Sequence, residues 1–230
     1  MLKPPRRPGF LERFLPKRKP AGKPIEPAYK PGTGTTTMRA AGIGIGTRTL
    51  GNIIDSAEIH IRQRKVGKAM RLMGSLGEPD LIEERLKDHH LQTIFPHAKP
   101  EGLNIMRGCF TAVAAIGLKE WFPENEAAAA TKLEKIRRLQ DTAGTIAGTL
   151  YRKVRARQAT TNEIYGTAIM YATLARAFPE IKSYEQTALT INRELIKIAG
   201  MEEGRAISII LRADNLADAV DEALQRFHGE

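Results

Sequence analysis

The chain has 230 residues, 42% apolar and 27% charged, with 36 Lys and Arg against 26 Asp and Glu. That size and balance suit one globular domain with a real core, and the single cysteine, Cys109, excludes an intrachain disulfide framework. The net charge of +10 is unevenly placed: residues 1–37 hold nine Lys and Arg against Glu12 and Glu26, together with eight of the 13 prolines.

Residues 1–37 therefore read as a Pro-rich basic arm, extended or disordered, because a segment this rich in proline and charge has little apolar surface to bury. Within it, residues 9–19 form a short amphipathic segment. Phe10, Leu11, Phe14 and Leu15 share one face of about one and a half helical turns. Pro16 then ends the turn, and Lys17, Arg18 and Lys19 follow as a compact cation cluster. An apolar face fused to cations suits a partner's groove or a peripheral membrane contact. The first 15 residues lack the long apolar stretch of a secretory signal, so none is expected. Residues 38–48, rich in Gly and Thr, read as a hinge. Its run Gly42-Ile43-Gly44-Ile45-Gly46-Thr47 is followed by Arg48, so it lacks the Lys-Ser/Thr ending of a phosphate loop, and no strand precedes it as a dinucleotide loop requires.

Residues 49–230 carry helical periodicity, which predicts an all-α domain, a compact bundle of about six to seven helices. A first helix is expected over about 49–75, with Ile53, Ile54, Ala57, Ile61, Met70 and Met73 facing the core; Gly74 to Gly77 end it. A second opens at Glu78-Pro79, where proline is tolerated in the first turn, and runs to Phe95. The third, about 102–121, is very apolar but shorter than the ~18–20 uninterrupted apolar residues that cross a bilayer, and Arg107 interrupts it. Cys109 sits there among Phe110, Ala112 and Val113, the setting of an inert buried thiol. Residues 124–158 read as one long helix or as two joined near Gly144–Gly148. Thr161 is the expected N-cap of a helix ending at Phe178, and Ser183 with Gln186 matches a capping box for a helix to Ala199. The last helix is expected over about 204–227.

Chemistry-bearing residues are sparse. The only His-rich place is Asp88-His89-His90, with His97 nearby. Metal ligands on a helix recur at three- or four-residue offsets. On one continuous helix Glu84 and Asp88 share a face, but Lys87 stands three residues after Glu84 and neither histidine has a His partner at those offsets. No metal site or cofactor is expected, and an enzyme centred on Asp88, His89 and His90 is the third reading. None of Ser56, Ser75, Ser183 and Ser208 lies in Gly-x-Ser-x-Gly. The acidic pairs Glu83-Glu84, Glu202-Glu203 and Asp221-Glu222 read as exposed, solvating charge. No small-molecule substrate is evident.

Two basic stretches remain: Arg62, Arg64, Lys65, Lys68 and Arg71, then Arg152, Lys153, Arg155 and Arg157. Against them stand the acidic second helix (Glu78, Asp80, Glu83, Glu84, Asp88) and the acidic last one (Asp214, Asp218, Asp221, Glu222). Either the helices pair with one another, or the cations form a nucleic-acid surface. The leading expectation is a non-enzymatic helical structural or adaptor subunit of a larger assembly of the secretion, conjugation or virion type. It would lie in the cytoplasm or inside such an assembly, tethered by its arm to a partner protein or a membrane surface; a homo-oligomer fits the same picture. Nucleic-acid binding through the arm and the helices at 62–71 and 152–157 is the alternative.

Overall fold

The computed structural model describes residues 50–121 and 125–227, and every regular element among them is an α-helix. The arm at 1–37 and the hinge at 38–48 lie outside the described residues. The helices are α1 (Leu50–Arg62), α2 (Val66–Gly74), α3 (Pro79–Arg85), α4 (Asp88–Ile94), α5 (Pro100–Trp121), α6 (Glu126–Arg155), α7 (Thr161–Ala177), α8 (Lys182–Ala199), α9 (Met201–Arg212) and α10 (Leu216–Phe227).

The all-α expectation holds. The count of six to seven does not, because three expected helices are each broken in two, giving ten among the described residues. None of the three breaks carries a glycine or proline. Between α1 and α2, Arg64 takes a φ of +57°, and the Lys65 N–H donates back to the His60 carbonyl at 2.8 Å, a Schellman closure. Between α3 and α4, Arg107 of α5 donates from Nε to the Leu86 carbonyl at 3.0 Å. Between α9 and α10, Arg176 of α7 donates to the Ala213 carbonyl at 2.8 Å. An arginine thus stands at each break, and at two of them it comes from another helix to satisfy a carbonyl that the interrupted ladder leaves unpaired.

The core is built on α5 and α7. Every residue of α7 from Tyr165 to Ala175 is buried, the mark of a helix surrounded on all sides. It packs against α5, α6, α8, α9 and α10, while α5 also receives α2. Fully buried side chains such as Phe110, Met106, Ile169 and Phe178 each contribute on the order of 1.5–3 kcal/mol through removal of apolar surface from water. Of the residues expected in the core of the first helix, Ala57, Met70 and Met73 are buried, whereas Ile53, Ile54 and Ile61 are half-buried. Glycine lets α2 lie directly on α5: a Cβ at Gly74 would meet the Ala114 carbonyl oxygen at 2.0 Å, and one at Gly117 would meet that of Arg71 at 1.9 Å.

Helix starts correct two expectations. The cap of α7 is Thr160 rather than Thr161: its hydroxyl accepts from the Glu163 N–H, and the Glu163 carboxylate accepts from the Thr160 N–H at 2.7 Å, a complete capping box. Ser183 caps nothing, since α8 already begins at Lys182 behind Ile181 with no side-chain cap. Residues 126–155 form one helix without a joint, capped by Asn125 through the Ala128 N–H at 2.7 Å.

Candidate functional site

The partner-binding residues expected in the arm, Phe10, Leu11, Phe14, Leu15, Lys17, Arg18 and Lys19, lie outside the described residues. The two basic stretches are described, and part of each is paired with acids of neighbouring helices. In the first, Lys68 pairs with Asp218 of α10 at 2.6 Å. Arg71 grips Glu120 of α5 with two hydrogen bonds, at 3.1 and 2.8 Å. In the second, Lys153 pairs with Glu163, and its ammonium also lies 3.6 Å from Glu101. Arg138 of α6 likewise holds Asp80 at 2.6 Å and Glu83 at 2.8 Å. Opposite charges on neighbouring helices are therefore paired within the fold, as the pattern of basic and acidic helices allowed.

Arg62, Arg64 and Lys65 at the α1–α2 link and Arg152, Arg155 and Arg157 at the end of α6 are all exposed. Arg157 repeats the geometry of Arg64, with φ +55° and the Gln158 N–H donating to the Lys153 carbonyl at 3.1 Å. Both helices thus end on an arginine in the left-handed position that glycine usually fills. The stretches do not merge around α5. Arg71 meets it at Glu120 and Lys153 meets it at Glu101, points about 28 Å apart at ~1.5 Å per residue.

The acidic pairs are not uniformly exposed. Asp221 is buried, and its carboxylate accepts from the Gly67 N–H at 2.6 Å and the Lys68 N–H at 3.2 Å. It thereby caps α2 from across the chain, where the local N-cap position, Lys65, supplies no side-chain bond. Burial pushes the Asp221 carboxyl up from 3.8 to about 6, opposed by those two N–H donors. Glu163 is also buried; burial pushes it up, but its bonds to Lys153 and Thr160 outweigh that and leave it lowered. No sequence offset marks Asp221, whose target lies 154 residues away.

Cys109 is fully buried, and burial pushes its thiol up to about 12, as expected of an inert packing residue. An open cleft of about 300 Å³ lies between α2, α5, the end of α7 and the α9–α10 link, lined in part by Arg71, Val113, Lys119, Arg176 and Leu216. Its polar groups serve the fold: the Lys119 ammonium donates to the Ala177 carbonyl at 2.6 Å and stands 4.6 Å over the Phe178 ring.

At the Asp88-His89-His90 turn, Asp88 is bound by Arg107, so its carboxylate is engaged with that guanidinium. The two imidazole rings lie with centroids 4.0 Å apart, tilted by 41° to one another. Among the described residues no helix is long and apolar enough to cross a membrane. No family model matches the sequence, and neither curated proteins nor solved structures give a match to the chain.

Proposed function

We propose that the chain is a non-enzymatic helical structural or adaptor subunit of a larger assembly, tethered to a partner protein by its basic arm. The carrying observation is the partition of charge. Within the described body Lys68, Arg71, Arg107, Arg138 and Lys153 are matched to acids of neighbouring helices. The nine cations of residues 1–37 have only Glu12 and Glu26 beside them in sequence. Pairing of this kind ties the helices of the body to one another, which suits a scaffold, whereas the arm combines an excess of cations with an apolar face suited to meeting a partner. An assembly of the secretion, conjugation or virion kind would suit such a subunit, and several copies would strengthen weak individual contacts by avidity.

The test compares the full chain with Phe10→Glu/Phe14→Glu and with a chain lacking residues 1–37. Capture of the partner assembly from native lysate should drop at least tenfold in both variants. Equal capture by all three proteins would sink the reading. Liposome flotation of the same set reports whether a membrane surface is the target instead.

The clustering of exposed cations at the two helix ends favours nucleic acid as a second reading. Arg62, Arg64, Lys65, Arg152, Arg155 and Arg157 would then contact phosphates, and binding would weaken steeply with salt as counterions are released. Neutralising Arg152, Arg155 and Arg157 should flatten the slope of log affinity against log salt by about 3 if all three make phosphate contacts. An unchanged slope removes them from the interface.

A further inference from the structure

The break between α3 and α4 has a chemical consequence that a continuous helix would not. Along an unbroken helix through residues 79–95, Glu84 would sit one and a half turns from the histidines, turned away from His89. The chain instead turns at Leu86 and Lys87, and α4 restarts at Asp88. The turn brings the Glu84 carboxylate and the His89 and His90 imidazoles together, with one ligand atom from each lying within 4.8 Å of the other two. His90 Nε2 stands 3.9 Å from Glu84 Oε1. We propose that Glu84, His89 and His90 form a binding site for a single zinc-type divalent metal ion on the α3–α4 turn.

The chemistry of the donors fits this class. Two imidazoles and one carboxylate are a borderline ligand set that suits zinc and its first-row neighbours, and disfavours calcium or magnesium, which want oxygen alone. At Zn–N and Zn–O distances near 2.0–2.1 Å, tetrahedral ligands lie about 3.3 Å from one another. The three groups therefore need to close by at most about 1.5 Å. Glu84 and His89 are exposed and His90 is half-buried, so rotation of their side chains can supply that movement without shifting a helix. Three protein ligands leave a fourth position for water, or for a donor from another molecule.

The backbone beneath the site is held from outside it. Arg107 of α5 spans the turn, donating to the Leu86 carbonyl at 3.0 Å on one side and to the Asp88 carboxylate on the other. A third bond, to Asn104 Oδ1 at 2.7 Å, fixes the guanidinium itself. Glu84 and the two histidines flank this clamped segment, so their Cα positions are set before any ion arrives. The Glu84 carboxylate now accepts from the Lys87 ammonium, which holds its carboxyl below the ordinary range. The same Lys87 ammonium is the competitor that a metal ion must displace.

That competition yields a test that goes beyond deleting ligands. Zinc is titrated by calorimetry into the untagged full chain, after chelation and desalting. Saturation is expected at one equivalent, with a rise in melting temperature because the ion binds the folded turn. His89→Ala, His90→Ala and Glu84→Gln should each weaken binding at least tenfold while leaving the helical circular dichroism intact, since all three side chains sit at the surface. Lys87→Met should tighten binding by removing the ammonium from Glu84. Absence of saturable binding at one equivalent overturns the proposal, as does wild-type affinity in the His89→Ala/His90→Ala double variant. Unchanged affinity in Lys87→Met would sink the assignment of Glu84 as a ligand.

Discussion

Helices α7 and α2 solve the same problem at their first turn in opposite ways. Thr160 and Glu163 close the start of α7 within four residues. The start of α2 is closed by Asp221, which reaches the Gly67 and Lys68 N–H groups from the far end of the sequence. One cap is local and forms as soon as its own turn does. The other exists only when α10 is docked, so the order of α2 depends on the order of the whole fold.

The largest effect on this comparison is expected from α2's seat on α5. Gly117→Ala puts a methyl group where the Arg71 carbonyl lies, and overpacking of backbone against backbone should cost about 3 kcal/mol, read as a fall in the urea midpoint at unchanged slope. Exchange of the α2 amides should rise together with that loss. If α7 amides loosen first, α2 is not the dependent element.

Next comes the long-range cap. At pH 4, Asp221→Ala should cost about 2 kcal/mol, because the Gly67 and Lys68 N–H groups lose their acceptor. The pH dependence has a definite sign. A carboxyl whose pKa is raised in the fold, here from 3.8 to about 6, favours folding while protonated. Its contribution is complete below about pH 4 and is lost as the pH climbs through 6, a fall on the order of 3 kcal/mol at ~1.4 kcal/mol per unit. Asp221→Asn keeps an acceptor for the cap and should erase that decline in urea titrations run between pH 4 and 7. A decline of the same size in the Asn variant would assign it to other groups.

The local cap should be worth less. Thr160→Ala is expected to lower stability by about 1 kcal/mol, with the exchange of amides at the start of α7 rising first. A loss larger than that of Asp221→Ala would reverse the comparison. Smallest, and opposite in sign, are Arg64→Gly and Arg157→Gly. Each relieves a left-handed backbone angle and should raise stability by about 0.5–1 kcal/mol, while weakening any nucleic-acid binding that the two helix ends support.

The same contrast explains what could be read in advance. Periodicity sufficed for the all-α class and for α5 and α7, whose ends carry proline or threonine signals, and it left α6 open between one helix and two. It ran straight through Gln63–Lys65, Leu86–Lys87 and Ala213–Asn215, since those breaks are made by arginines arriving from α5 and α7 or by a left-handed arginine, and the apolar spacing barely registers them. Arg107 stood out in the sequence only as a charge inside an apolar run. The structure gives it work at the α3–α4 turn, and with it the reason Glu84 meets His89 and His90. Asp221 was legible as an acid beside Glu222, but its burial follows from the packing of α10 on α2, which no local pattern encodes.

The reach of Asp221 also has a temporal meaning. During synthesis α2 leaves the ribosome long before residue 221 exists, and the 154 intervening residues take about 8–30 s to make at ~5–20 residues per second. For that interval the first turn of α2 has open donors, and Gly74 lacks a completed α5 to lie on until the chain has passed Gly117. The first turn of α2 is therefore sealed late, and α10 is what seals it.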